Sequence, residues 1–182
     1  MKNEILIVAA RHIQMYGVRK FKLDLICKEL KISKKTIYKY FQSKDEIVEE
    51  YIKEILETDK ESTIKILNEN ISLSKKCHNI IYSYHKYKLP INVMEDIKKN
   101  YKCEWEKLKQ LKEFKINAIF NLLEVAKKNG EIKEEVDLSV ITIMIEKISE
   151  ELLDSDMLRV NNLKLNYAID QLLQVILNGI LK

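Results

Sequence analysis

Three glycines and one proline are the only strong punctuation in 182 residues. Hairpins and many-stranded sheets need positive-φ residues or proline at set places, so their scarcity excludes a β architecture and predicts helices joined by short links. Cysteine is equally sparse. Cys27, Cys77 and Cys103 are odd in number and far apart, which argues against a disulfide framework and for reduced thiols inside helices, with no redox role. No apolar run approaches the roughly 18 residues that a bilayer span requires. The opening MKNEILIVAARHIQMYG carries Glu4, Arg11 and His12 where a signal peptide would carry an apolar block. A cytoplasmic protein with no membrane partner is expected.

Catalytic signatures are missing as well. G-x-x-x-x-G-K, H-E-x-x-H, G-x-S-x-G and paired Cys-x-x-Cys do not occur, and His12, His78 and His85 fall in different predicted helices. Cys77 and His78 are adjacent, so on a helix they diverge by about 100° and cannot easily share a metal. The reading is a protein that is not an enzyme, with no cofactor and no metal.

What is present is apolar residue and localised charge. Hydrophobic residues make up 46% of the chain, enough to bury a real core. Residues 1–46 carry eleven Lys or Arg against five acids, a net of +6, while the remainder nets −2. A basic first quarter on a mildly acidic body points to a polyanion at one end only.

Periodicity predicts about nine helices. Ile5, Val8, Ala9, His12, Ile13 and Tyr16 share a face over residues 4–16, and Gly17 stops that helix. LDLICKEL gives a second helix with Leu23, Ile26, Cys27 and Leu30 in one stripe. After the link KIS, Ser33 caps a short helix that turns Ile37 and Phe41 inward, four residues apart. Ser43 caps the fourth helix, with Asp45 and Glu46 in its first turn, and apolar residues continue through Ile47, Val48, Tyr51, Ile55 and Ile66. CHNIIYSYHKY, INVMEDIKKNY and a long segment over about 102–128 supply three more, the last ending at Asn129 and Gly130. Asp137 caps the eighth, and the ninth begins at about residue 162.

Two short helices joined by three residues, the second opening Ser-Lys-Lys-Thr, have the layout of a helix-turn-helix. Cys27 is the small residue at the crossing, and Leu23, Ile26, Ile32, Ile37 and Phe41 lock it. Lys34, Lys35, Thr36, Tyr38, Lys39 and Tyr40 are left outward, where lysines, phenolic hydroxyls and helix amides can donate to phosphates. The segment offers no Arg, Asn or Gln for bidentate base reading except Gln42 near its end, so Lys35, Thr36 and Lys39 would read bases and most affinity would be ionic.

Residues 5–51 resemble the N-terminal domain of TetR-family (TetR/AcrR type) transcriptional regulators, in the order helix, Gly-Val, second helix, short turn, SKKTIYKYF, QSKDE. The resemblance covers about a quarter of the chain; the rest fits in size, helix count and the NGEI turn. It implies an all-α fold with a helix-turn-helix DNA-binding domain over 1–46 and a helical effector-binding and dimerisation domain over 47–182. It places Lys34, Lys35, Thr36, Tyr38, Lys39 and Tyr40 on the recognition helix and Lys44 against a phosphate, with Ser33 opening that helix. Lys22 stands where the family usually has Ser or Thr, so a phosphate contact there would be ionic. Lys31 stands where the family usually has Gly and must take up the turn dihedral.

The implied function is a ligand-responsive regulator, a repressor released when a small apolar or aromatic effector binds. Its partners would be double-stranded operator DNA with two-fold symmetry, a second copy of the chain and that small molecule. Ile141, Met144, Ile145, Ile148, Leu152, Leu165, Ile169, Leu172, Leu173, Ile176 and Ile180 offer more apolar surface than one face requires, consistent with a four-helix bundle between two chains. Tyr82, Tyr84, His85, Met94, Trp105, Phe114 and Phe120 are the side chains available to line an effector pocket. The rival reading is a basic helical module binding nucleic acid or membrane without an effector. Glu104, Glu106 and Glu113 interleave the basic residues of 97–115, as on a solvated helix face.

Overall fold

The computed structural model describes residues 1–82, 89–152, 158 and 160–182, with only the backbone of Ile91, Ser149 and Glu150. Among the described residues there are nine helices and no strand beyond an isolated bridge between Ile132 and Leu181. They are α1 (Lys2–Tyr16), α2 (Leu23–Leu30), α3 (Lys34–Ile37), α4 (Lys44–Asn68), α5 (Leu73–Ile81), α6 (Ile91–Asn100), α7 (Lys102–Lys128), α8 (Leu138–Leu152) and α9 (Leu165–Ile180). The all-α reading holds.

The chain divides into two compact units. The first comprises Met1–Thr58 and His85–Lys109, and the second Asp59–Tyr84 and Gln110–Lys182. In the first, α1 buries Ile5, Leu6, Val8, Ala9, Ala10 and Ile13 in one core with Ile26, Ile37, Phe41, Ile47, Val48, Tyr51, Ile52 and Ile55. Val93 and Ile97 of α6 complete it. In the second, Ile66, Cys77, Ile80, Ile119, Leu123, Ile132 and Ile145 pack with one face of α9, namely Ala168, Ile169, Leu173, Ile176, Leu177 and Ile180. Burial pushes the Cys77 thiol up to about 12, so it is an inert core residue.

Helix starts follow local capping chemistry. The Ser72 hydroxyl accepts from the Lys75 amide, so α5 begins at Leu73, four residues before the Cys77 start expected from apolar spacing. Asp137 caps α8 by accepting from the amides of Ser139 at 2.8 Å and Val140 at 3.4 Å. The last helix starts at Leu165 rather than 162 because Asn162 takes a left-handed conformation, φ 52°, which Asn tolerates better than most residues.

Gly17 ends α1 with φ 82° and ψ 161°, a region essentially restricted to glycine, while its amide donates to the Ile13 carbonyl at 2.8 Å. A Cβ there would lie 2.8 Å from Asp96 Oδ2, the same carboxylate that accepts the Arg19 amide at 3.4 Å. Gly17→Ala should therefore cost about 1–3 kcal/mol and lower the melting temperature by several degrees in calorimetry. An unchanged melting temperature would contradict this account of the turn.

Candidate nucleic-acid interface

The interface is assembled by what its inward residues do. Ile26, Ile37 and Phe41 are fully withdrawn from solvent, with Leu23, Cys27, Leu30 and Ile32 packed partly buried beside them. Lys31 takes the left-handed conformation, φ 54° and ψ 41°, that closes α2, and the Ile32 amide donates back to the Cys27 carbonyl at 3.1 Å. A lysine thus occupies the strained turn position that glycine would fill at lower cost.

The Ser33 hydroxyl accepts from the Thr36 amide at 3.2 Å and lies 3.1 Å from the Thr36 hydroxyl. Ser33 is consumed as an N-cap and Thr36 is half-buried beside it. Regular helix stops at Ile37, after which Tyr40 and Phe41 amides both donate to the Ile37 carbonyl at 2.9 and 3.1 Å. Because Ile37 and Phe41 point in, Lys35, Tyr38, Lys39 and Tyr40 are exposed, with Tyr38 at 51% and Tyr40 at 41%.

The remaining expected cations are not all free. Lys34 Nζ pairs with Asp24 Oδ1 at 2.8 Å, and that hydrogen bond and charge raise its pKa above the ordinary lysine value. Lys44 Nζ donates to the Arg19 carbonyl at 2.9 Å and sits 4.5 Å from the Phe21 ring centroid. Burial lowers its pKa, against the opposing pull of Asp45 and Asp96. Ser43 caps the following helix by accepting from the Glu46 amide at 3.0 Å, and the Glu46 carboxylate accepts from the Gln42 amide.

Lys22 precedes α2 without a side-chain cap, so no side chain covers the first amides of that helix. They open on a groove of 470 Å³ lined by Arg19, Lys20, Phe21, Lys22, Leu23, Asp24, Lys34, Tyr38 and Lys44. Arg19 and Lys20 are exposed cations not singled out from sequence, although the run VRKFK was the visible signal. A helix N-terminus ringed by cations can hold an anionic phosphate.

Other expected site residues are placed as follows. Tyr82 and Phe120 are half-buried against the core of the second unit, the Tyr82 ring 5.8 Å from that of His78. Phe114 lies 5.6 Å from Lys60 Nζ in the same unit. Met94 is half-buried in the first unit, and Trp105 packs on that unit's core with Lys98 Nζ 5.8 Å over its ring. Tyr84 and His85 lie outside the described residues.

The residues expected at the interface differ in their burial within one protomer. Ile145, Leu152, Ile169, Leu173, Ile176 and Ile180 are buried in the protomer's own core, and Ile141, Leu165 and Leu172 are partly buried against it. Only Met144 and Ile148 of that set are exposed. Helical periodicity locates an apolar stripe but does not say which neighbour covers it. The open apolar residues are instead Val140, Ile143, Met144 and Ile148 along α8, with Tyr167 and Val175 on α9.

Among the described residues no three His, Cys, Asp or Glu side chains group to hold a metal ion, and no helix is long and apolar enough to cross a membrane. The geometry of α2 and α3 is that of a helix-turn-helix. Residues 5–51 match the family model of the bacterial regulatory proteins of the tetR family. No curated protein is matched by sequence.

Solved structures extend the likeness over the whole fold. The transcriptional regulator FadR from Bacillus subtilis in complex with stearoyl-CoA superposes with TM-score 0.69 at 20% identity, covering 99% of this chain and 100% of that one. A proposed transcriptional regulator from Saccharomonospora viridis in complex with choline gives 0.78 at 15%, covering 100% and 97%. The TetR-family regulator PfmR from Thermus thermophilus gives 0.68 at 17%, covering 96% and 97%.

The Asp24 carboxylate is the anion inside the cationic groove. Asp24→Asn should tighten binding to duplex DNA about two- to fivefold at low salt by releasing Lys34, an exposed pair of modest strength, and the gain should shrink as salt rises. Unchanged affinity in a fluorescence titration would mean that the groove does not face DNA.

Proposed function

We propose that this protein is a ligand-responsive transcriptional repressor that binds a two-fold symmetric operator as a homodimer. Residues 1–46 are the DNA-binding domain and 47–182 the effector-binding and dimerisation domain. The observation that carries the reading is the burial of Ile37 and Phe41 beneath an outward row of Lys35, Tyr38, Lys39 and Tyr40. Lys22, Lys34, Tyr38, Tyr40 and Lys44 serve phosphates, joined by Arg19 and Lys20, while Lys35, Thr36 and Lys39 meet base edges. Ser33 acts by fixing the segment's first turn.

Two copies are needed because half-sites one helical turn, roughly 34 Å, apart are read by a two-fold pair. Val140, Ile143, Met144 and Ile148 recur along one face of α8 at helical spacing and leave large apolar side chains in solvent, which supports the pairing of α8 and α9 with a second copy. Two fold relatives are complexes, with stearoyl-CoA and with choline, which supports a ligand-binding role for residues 47–182 here. An effector favouring a spacing of the two DNA-binding domains unsuited to the operator would release DNA through its differential affinity for the two states.

A salt-dependent fluorescence-anisotropy titration against the DNA flanking its own gene, with scrambled DNA as control, tests the reading. Binding should be salt-sensitive, sequence-selective and two chains per site. Lys44→Met should flatten the slope of log affinity against log salt by about 0.9, one phosphate contact, whereas Lys39→Ala should change base preference. Equal weak binding to both DNAs would refute operator recognition there, and an unchanged slope would remove Lys44 from the backbone.

A further inference from the structure

The buried stripe of α4 runs Ile52, Ile55, Asp59, Thr63, Ile66, so two polar residues occupy places where aliphatic side chains would pack. Asp59 is 1% exposed and Thr63 fully buried. Across from Asp59, on α7, Lys115 Nζ lies 3.2 and 3.4 Å from the two carboxylate oxygens. Burial draws the Lys115 pKa down while Asp59 holds it up. The two ions neutralise one another.

Thr63 has no such settlement. A helical threonine ordinarily hands its hydroxyl to a carbonyl one turn back, as Thr58 does to Glu54 at 2.7 Å and Thr142 to Leu138 at 2.8 Å. Thr63 Oγ1 is buried without any hydrogen-bond partner. Such a group loses its hydration and regains nothing, so it is retained against its own cost.

We propose that Thr63 is the polar anchor of a binding site for an uncharged, largely apolar molecule bearing one hydroxyl or carbonyl oxygen. The inference rests on the reading of residues 47–182 as effector-binding and names the effector's chemistry. The Asp59–Lys115 pair already closes its own charge, so an ionic ligand would bring an uncompensated charge into a low-dielectric interior. A neutral oxygen satisfies Thr63 at no such penalty, and Ile66, Ala118 and Ile119 of the same core supply apolar surroundings one turn along each helix.

Calorimetry on the full chain with two headgroup series decides it: 4-phenylbutan-1-ol, 4-phenylbutanoate, 4-phenylbutylamine and butylbenzene, and 1-octanol, octanoate, octylamine and octane. At least one alcohol should raise the melting temperature by about 3 °C or more, and its acid, amine and hydrocarbon counterparts should not. Thr63→Val should weaken that alcohol tenfold or more yet raise the unliganded melting temperature by about 2 °C, while Thr63→Ser keeps the binding. Failure of both alcohols, an equal shift from the hydrocarbon, preference for an ion, or a Thr63→Val protein that melts lower without ligand would each overturn the proposal. An alcohol that binds through Thr63 without changing DNA affinity would support this site and overturn effector-driven release.

Discussion

Ile37 and Phe41 stand four residues apart, and with both removed from solvent the residues between and around them have only one direction left. Burying such side chains contributes about 1.5–3 kcal/mol each. An exposed ion pair such as Lys34–Asp24 is screened by solvent and contributes far less. Hydrophobic burial therefore sets the orientation of the segment, and electrostatics only trims it. The cations of α3 face outward as a consequence of packing, and the same packing forces Lys31 into a left-handed turn that no lysine prefers.

The outward charge is less than its residue count suggests. Lys2 pairs with Glu50 at 3.2 Å, Arg11 with Glu29 at 2.7 Å and Lys34 with Asp24 at 2.8 Å. Those acids lie in the same unit; Asp24 and Glu29 are already counted in the net of +6 over the first 46 residues, and Glu50 lies just beyond them. What survives is concentrated around the N-terminus of α2 and the outward side of α3, where cations and uncapped amides lie together. Within that unit, Tyr101 donates to Asp45 at 2.5 Å, fixing the starts of α7 and α4 to each other. The bond engages the Asp45 carboxylate, whose charge still acts on the neighbouring Lys44.

Much of the fold was legible because helical periodicity and capping agreed. Ser33, Ser43 and Asp137 stand where the caps form, and Gly17 stops α1 in a conformation reserved for glycine. The inward pair of α3 and its outward tyrosines could be read from spacing alone. Other features depended on tertiary context. Periodicity marked Ile145, Leu173 and Ile176 as apolar-face residues without saying that their own protomer covers them. Asp59 and Thr63 were passed over because polar residues inside an apolar stripe look like solvent-facing ones until burial is known. Ser72 was missed as a cap because the apolar signal of α5 begins later, at Cys77.

Hydroxyl-radical footprinting on fragments selected from genomic DNA by the purified protein tests most directly whether this outward face reads duplex DNA as a two-fold pair. Two protected patches are expected on one face of the helix, separated by about 34 Å or a multiple of it. Fragments without sequence enrichment, or protection confined to a single patch, would contradict two-fold reading of duplex DNA by this face.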